Sequence, residues 1–419
     1  MIKKPRGTAD ILPSDALLWQ YIEKILRKKS ALFGFEEIRF PTFEATELFA
    51  RGVGDTTDIV QKEMYTFFDK DERSMSLRPE GTACVARSIL ENGLLSGALP
   101  IKLYYIANFF RYEKPQAGRS REFFQFGTEL YGADSPQSDA TVILLADSVL
   151  KELKLKNYQL HINSIGCSDC RPNFKKKLVE YFEKYKDDLC PTCNQRLLTN
   201  PLRILDCKSE ICKKICLDAP KTLDCLCDEC KNKFDSLSEL LTKNGRDFVA
   251  DTGIVRGLDY YTGTVFEFIQ ENIGAQSTLC GGGRYNGLVT ELGGPATPAV
   301  GFGMGISRLI LSMQSDGVTP QLAPSTQVYI APLGENAKNT AFVLTQKLRA
   351  ANICADTDII GRSLKAQMKF ADKRGAEYVI VIGDNEIAEN ICILQNMQNG
   401  NKKQIKIDAD EIADLILNR

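Results

Sequence analysis

The sequence predicts an α+β domain built on a largely antiparallel sheet, broken by a cysteine-rich helical insertion and followed by a small α/β domain. Three observations predict this. Strand-like segments crowd between residues 35 and 130, joined by turns that carry Gly and Pro, a density that suits antiparallel pairing. Ten of the fourteen cysteines fall between Cys167 and Cys230. Beyond Pro320 and Pro324, strand and helix patterns alternate to the end of the chain. The expected division is a first domain over 1–324, with its insertion at about 165–245, and a second over 325–419.

Apolar positions at helical spacing (Leu17, Leu18, Tyr21, Ile22, Ile25, Leu26) predict a helix over 15–33, capped by Ser14 or Asp15 and stopped by Gly34. Phe35–Phe40 alternates like a strand and ends at Pro41. Further strands are expected around 64–68, 75–78, 103–110 and 123–130, with few helices between them. The last two form a hairpin around the polar loop Gly118-Arg-Ser-Arg-Glu-Phe123. Arg111 and Glu113 lie on one strand and Gln125 and Glu129 on the other. Gln125, Gly127 and Glu129 share one face under the period of two. Lys-rich helical stretches surround the cysteines, strand signals return at 253–270 and 276–281, and the pattern places a helix start between Thr297 and Gly305. The tail alternates: strand Gln327–Ala331, helix 336–350, strand near Ile353, helix 363–374, strands Tyr378–Ile382, Ile391–Gln395 and near Ile405, and helix 409–418.

The bulk numbers exclude several functions. With 53 basic and 54 acidic residues the formal charge is −1, so any RNA contact must come from a local basic face. Met1–Gly7 carries no apolar signal core, and no apolar run approaches the roughly 20 residues of a membrane helix. A cytoplasmic location is therefore expected, where cysteines serve as thiols or metal ligands rather than disulfides. His161 is the single histidine. It rules out an HExxH zinc site and sits in a strand-like stretch, where a structural role suits it. No Gly-x-x-x-x-Gly-Lys-[Ser/Thr] loop is present, and Gly281–Gly287 misses the dinucleotide spacing. If a nucleotide binds, arginines must hold its phosphates; a guanidinium fixed on a sheet suits that task.

Phe110-Arg-Tyr-Glu113 with the loop to Arg121-Glu-Phe123 resembles motif 2 of the class II aminoacyl-tRNA synthetases. Gly301-Phe-Gly-Met-Gly-Ile-Ser-Arg308 resembles their motif 3, a glycine-rich strand feeding a helix, and Phe35–Pro41 resembles the end of motif 1, the dimer interface of that class. Val255-Arg-Gly-Leu-Asp-Tyr-Tyr261 and Gly281-Gly-Gly-Arg-Tyr285 resemble the two signature motifs of the histidyl-tRNA synthetase family, bacterial type. Leu77-Arg-Pro-Glu-Gly-Thr82 is similar to the family's substrate loop, as Pro5–Asp10 is to its N-terminal segment. One departure is Tyr112, where many members carry histidine or arginine.

The resemblance implies a catalytic domain of the class II fold, an anticodon-binding domain over 325–419, and ATP-dependent ligation of L-histidine to tRNA(His) through an adenylate. It makes Arg111 and Arg256 the catalytic pair, gripping the α-phosphate from two sides. Arg111, Glu113, Arg121 and Arg308 would bind ATP, with Mg²⁺ on its outer phosphates. Glu80, Gly81, Thr82, Arg111, Gln125, Glu129, Arg256, Tyr260 and Tyr261 would bind histidine: Glu80, Thr82 and Gln125 at the ammonium, Glu129 and Tyr261 at the imidazole. It also implies a homodimer, and nothing in it calls for a membrane.

Two patterns stand apart from that reaction. The pairs Cys167-x-x-Cys170, Cys190-x-x-Cys193 and Cys227-x-x-Cys230, with Cys207, Cys212, Cys216 and Cys225 between, are spaced like ligands of a structural zinc. Spacing alone leaves the pairing open, and Cys190, Cys193, Cys227 and Cys230 are the preferred four. Lys365, Lys369 and Lys373 recur every four residues, flanked by Arg362 and Arg374, a helical face suited either to solvent or to RNA. The rival readings are a non-catalytic histidine-binding regulatory subunit of histidine biosynthesis, a class II synthetase for another amino acid, and a zinc-dependent RNA-binding module. The retained arginines with the complete tail oppose the first, Arg256–Tyr261 the second, and the arginine constellation the third.

Overall fold

The structure, a computed structural model, describes residues 1–417 apart from 55–56, 58, 117, 206, 208, 255–259, 272, 274–276, 321 and 323–325. It divides into two compact units, Met1–Pro320 and Gln321–Arg419.

The first unit is organised by an eight-stranded sheet. In spatial order its strands are Glu36–Glu37, Ile101–Phe110, Glu122–Tyr131, Ala299–Gly305, Thr278–Arg284, Thr264–Ile269, Gln159–Ser164 and Val249–Ala250. The six central strands run antiparallel, and only the short strand at each edge pairs in parallel. Period-two alternation separates two faces. Phe126 and Leu130 point to one, which helices Pro13–Leu32, Pro136–Glu152 and Ile306–Ser315 cover with Ile22, Leu26, Ile143, Val149 and Leu309. The other face carries Tyr105, Phe109, Tyr131, Tyr260, Tyr261 and Tyr285. Aromatic rings bring burial and hydroxyls together, so this face is both buried and polar.

Helices Thr46–Val53 and Thr82–Glu91 and the antiparallel three-stranded sheet Phe43–Ala45, Ser74–Leu77, Thr66–Phe68 lie between the first strands of the large sheet in sequence. The expectation of few helices there is corrected. Ala83, Cys84, Val85, Ala86 and Ile89 are all fully buried, and a helix buried on most sides shows little apolar periodicity. The first helix begins at Pro13 with Leu12 as its N-cap, so Ser14 and Asp15 lie inside its first turn. Proline fits that opening position and Asp15 there complements the helix dipole.

Ala299–Gly305 is a strand, not the start of a helix, which begins at Ile306. It is hydrogen-bonded on both sides, with Gly301 opposite Glu129 and Gly303 opposite Gly127. A Cβ at Gly301 would lie 2.0 Å from a Glu129 carboxyl oxygen and 2.3 Å from the Thr128 carbonyl. Gly301→Ala is therefore expected to destabilise the fold by about 1–3 kcal/mol, the usual cost of overpacking. A melting temperature unchanged in thermal unfolding would show that the strand can shift away.

In the insertion, helices Cys170–Glu183, Pro191–Thr199 and Glu210–Leu217 fold around a small core of Phe174, Leu178, Phe182, Leu197 and Ile204, while the last helix, Asp228–Lys243, packs Leu237 and Leu241 into the main core. It leaves after strand Gln159–Ser164 and returns through Val249–Ala250, which pairs with that same strand. His161 Nδ1 lies 2.9 Å from an Asp251 carboxylate oxygen, the partner a structural histidine requires.

The second unit is a five-stranded sheet in the order Ala355–Thr357, Val328–Pro332, Tyr378–Ile382, Ile391–Asn396, Lys402–Lys406. Its first three strands are parallel and its last two antiparallel. Helices Glu335–Ala350, Leu364–Lys373 and Ala409–Leu417 accompany it, with one unexpected short helix, Asp384–Glu389. Glu386 starts that turn by accepting from the Gly383 N–H at 2.8 Å. Among the described residues no helix is long and apolar enough to cross a membrane.

Candidate active site

The polar face of the large sheet holds two buried carboxyls. Strand Ser74–Leu77 runs into the loop Arg78–Gly81, which Arg78 pins by donating to the carbonyls of Phe40, Pro41 and Asn108 and to Asn108 Oδ1 at 2.7–3.0 Å. Glu80 then meets the N-terminus of helix Thr82–Glu91 and accepts from the backbone N–H groups of Thr82 (2.9 Å) and Ala83 (2.7 Å). A carboxylate has about four lone-pair sites, so this cap leaves Glu80 capacity for a ligand. Glu129, on strand Glu122–Tyr131, is fully buried and accepts from the hydroxyls of Thr82 (2.9 Å), Tyr105 (3.3 Å) and Tyr285. Tyr260 donates towards Glu80 at 3.5 Å, and its ring centre lies 4.8 Å from that of Tyr261 and 5.6 Å from that of Tyr285.

Burial dominates the electrostatics of this pair. It raises the Glu129 carboxyl to about 8 against the hydroxyl donors that favour its charge. Burial also raises Glu80, opposed by the two N–H groups and by Arg111. Two desolvated acceptors among aromatic rings suit a small cationic or hydrogen-donating ligand. Gln125 lies on the same strand face, half-buried.

The arginines gather beside it. Arg111 follows strand Ile101–Phe110, donates to the Pro79 carbonyl (2.9 Å) and lies 5.3 Å from the Phe123 ring centre. Glu113 is 3.8 Å from Arg111 and 3.2 Å from Arg119. Arg121 lies over the Tyr112 ring at 3.8 Å and donates to the Glu113 carbonyl at 3.4 Å. Tyr112, the departure from the family pattern, is thus the platform for Arg121. Arg308, in the first turn of helix Ile306–Ser315, donates to the carbonyls of Thr278 (2.7 Å) and Gly118 (3.5 Å). Burial lowers its pKa, and the neighbouring charges of Arg119 and Arg111 add to that. Several guanidiniums around one carboxylate leave an excess of positive charge, an arrangement suited to a polyphosphate.

The structure therefore brings Glu80, Gly81, Thr82, Arg111, Glu113, Arg121, Gln125, Glu129, Tyr260, Tyr261 and Arg308 onto one face or its rim. Arg256 lies outside the described residues. Three site residues had no role in the sequence reading. Arg119 stands in the same Gly-Arg-Ser-Arg loop as Arg121, and its signal was present but ambiguous. Tyr285 stands in a signature motif as an aromatic side chain like any other. Tyr105 is an inward residue of an apolar strand. Arg284, in the same motif as Tyr285, is a structural residue: it is buried and bonded to Asp139 (2.6 Å), Asp134 (3.1 Å) and Ser138.

The preferred four cysteines do not meet. Cys167, Cys170, Cys227 and Cys230 form one group and Cys190, Cys193, Cys207 and Cys212 another, the four sulfurs of each lying within 4.8 Å of one another. The cause is topological. The insertion leaves and returns at one strand, so its first and last cysteine pairs come together at its base while the middle four stay in its body.

In the second unit Lys365, Lys369 and Lys373 are exposed along helix Leu364–Lys373, whose buried residues are Gln367 and Ala371. Arg362 is held by Asp358 (2.6 Å) and lies 4.3 Å from the Phe370 ring centre.

Comparison with known proteins follows the same division. A family model for histidyl-tRNA synthetase matches residues 7–169 and 213–309, and one for an anticodon binding domain matches 327–419. The chain is 51% identical over 409 residues to the histidine–tRNA ligase of Acetivibrio thermocellus, covering 98% of each. It is 48% identical over 410 residues to that of Clostridioides difficile, again covering 98% of each. Among solved structures it is similar to apo histidyl-tRNA synthetase of S. aureus, with TM-score 0.84, 39% identity, and coverage of 99% of this chain and 100% of that one.

Proposed function

Because the chain belongs to the histidyl-tRNA synthetase family, we propose that its buried carboxyl pair holds histidine and its arginine group holds ATP. The protein is a class II histidine–tRNA ligase. Its match to an anticodon binding domain over 327–419 favours the ligase over the regulatory subunit.

The observation that carries the site is Glu129, fully buried, bonded by three hydroxyls and set on the sheet face whose rim holds the arginines. Histidine binds with its imidazole at Glu129 and Tyr261 and its ammonium at Glu80, Thr82 and Gln125. Gly81 keeps the loop close, and Tyr260 lines the pocket. Such a site rejects other amino acids because they leave its buried polar groups without partners. The triphosphate lies across Arg121 and Arg308, with Arg119 beside them. Arg111 and Arg256 embrace the α-phosphate. A histidine carboxylate oxygen attacks the α-phosphorus, the bond to the β-phosphate oxygen breaks, and pyrophosphate leaves with its electron pair. Charge grows on the α-phosphoryl oxygens, where fixed guanidiniums stabilise it. Glu113, the nearby carboxylate, would hold Mg²⁺ together with phosphate oxygens, and the ion would supply charge neutralisation at the outer phosphates. A terminal ribose hydroxyl of the tRNA then attacks the activated carbonyl, and AMP leaves. Structural zinc in the insertion is compatible with this reaction and takes no part in it.

The partners are tRNA(His), histidine, ATP and a second copy of the chain. Phe35–Pro41 lies in the dimer-forming motif, and the proposed location is the cytoplasm. The domain division over 1–324 and 325–419 follows the two roles.

ATP–pyrophosphate exchange with each of the twenty amino acids tests this reading. Exchange with histidine alone is the expected result, while histidine binding without exchange would favour the regulatory subunit. Replacing Lys365, Lys369 and Lys373 together by Ala should weaken tRNA(His) binding about tenfold or more through lost phosphate contacts and leave exchange intact. An equal fall in exchange would remove that helix from the RNA face.

A further inference from the structure

We propose that the insertion holds two zinc ions, one at Cys167, Cys170, Cys227 and Cys230 and one at Cys190, Cys193, Cys207 and Cys212, and that the first fastens the insertion to the sheet edge beside Tyr260 and Tyr261.

Sulfur spacing is the first support. Four thiolates about 2.3 Å from one tetrahedral ion lie about 3.8 Å from each other. Cys167 and Cys170 are 3.6 Å apart, Cys167 and Cys227 4.0 Å, and Cys190 and Cys207 3.8 Å. A disulfide would bring two sulfurs to about 2.05 Å, and all fourteen cysteines are free. An iron–sulfur cluster would spread its four cysteines around several metal atoms. Two groups of this size each fit a single ion, and four soft thiolates in a tetrahedron select zinc.

The backbone is arranged for charged sulfurs. The Cys227 N–H donates to Cys170 Sγ at 3.1 Å, Cys190 N–H to Cys212 Sγ at 3.3 Å and Ser209 N–H to Cys207 Sγ at 3.5 Å. Bonds of this kind orient metal ligands and tune them. Cys190 and Cys227 are helix N-caps, with Cys193 and Cys230 in the first turns that follow, and Cys170 opens its own helix. Helix N-termini favour thiolates. Gly166 has φ +71°, and a Cβ there would lie 2.5 Å from the Cys170 Cβ. Only glycine lets the turn bring Cys170 back towards Cys227. Each site forms as four thiols give up their protons and bind Zn²⁺, leaving a complex of charge −2, and that binding energy adds to folding. The small core of the insertion makes this contribution useful.

The two centres have different places. Ile165 N–H donates to the Gly263 carbonyl (2.8 Å) and Gly263 N–H to the Gly166 carbonyl (3.0 Å). The turn that opens the first centre is thus bonded to the residue two past Tyr261. Among the described residues, the second centre packs within the insertion's own core.

The test uses the full-length protein. Elemental mass spectrometry should find two zinc per chain, and replacement by Co²⁺ should give the visible absorption of tetrahedral tetrathiolate cobalt. Cys227→Ser with Cys230→Ser should leave one zinc and raise the KM for histidine several-fold. Cys193→Ser with Cys207→Ser should leave one zinc with that KM unchanged. A folded wild type with one zinc or none, either double variant retaining two, or equal KM values in the two variants would overturn the proposal. If a variant fails to fold, stepwise zinc release from the wild type by a mercurial replaces it: two equivalents support the proposal and any other number overturns it. Metal content is read without a ligation assay, so this failure and failure of the ligase reading are separable.

Discussion

Arg111→Ala should lower histidine-dependent ATP–pyrophosphate exchange by about 10³-fold, with the larger part in kcat. Removing one preorganised donor from a developing oxyanion typically costs 10²–10³-fold. Arg111 is unusually well fixed: Pro79 receives its Nε–H, Phe123 lies beside its plane, and Glu113 faces its far side. Little of its freedom remains to be lost as the charge develops. Arg111→Lys should recover little, because an ammonium cannot satisfy Pro79 and two anionic oxygens in the same plane. Pre-steady-state measurement of adenylate formation, with thermal unfolding as the control for folding, decides the matter. A variant whose KM for ATP rises while adenylate forms at the wild-type rate would make Arg111 a ground-state binder only.

Glu129→Gln should raise the KM for histidine about 10²-fold and yet stabilise the empty enzyme at neutral pH. Glu129 has an ordinary value of 4.5 and a folded value of about 8. Below pH 4.5 the carboxyl is neutral in both states and costs the fold nothing. Between these values it ionises in the unfolded chain while staying protonated in the native one, so stability falls as pH rises, levelling off above about 8. Glutamine removes that dependence. The melting temperature of the variant, relative to wild type and without histidine, should therefore climb from pH 5 to pH 8. Histidine that donates to an ionised Glu129 displaces its proton, so wild-type affinity should rise over the same range more steeply than in the variant. The titration of free imidazole is common to both and cancels. A melting difference flat with pH would mean that Glu129 is already ionised in the empty pocket.

The two residues show how far the sequence could be read. Gln125 and Glu129 were legible because a strand with a strict period of two puts them on one face, and Arg111 because it stands in Phe110-Arg-Tyr-Glu113, the segment that resembles motif 2. The tail was legible because its strands and helices are short, separate and differently patterned. Helix Thr82–Glu91 was not, since burial on most sides erases the periodicity that would announce it. Ala299–Gly305 does not announce itself as a strand because its glycines hide their alternation; their reason is the Glu129 carboxyl and the neighbouring backbone pressed against Gly301. Arg119 and Arg121 stand two apart in one loop, and spacing cannot say which meets Glu113. The cysteine pairing failed for a longer-range reason. It depends on where the insertion begins and ends in space, and no local pattern encodes the pairing of strand 159–164 with 249–250.

That return to the same strand has an evolutionary consequence. A segment whose two ends meet at one sheet edge can be lengthened, shortened or exchanged without moving any other strand. The family match skips 170–212, which contains the whole of the Cys190 group, yet keeps Cys167, Cys227 and Cys230. The part of the insertion that holds the Cys190 group thus lies outside the matched family pattern, while three of the four cysteines at its base lie within it.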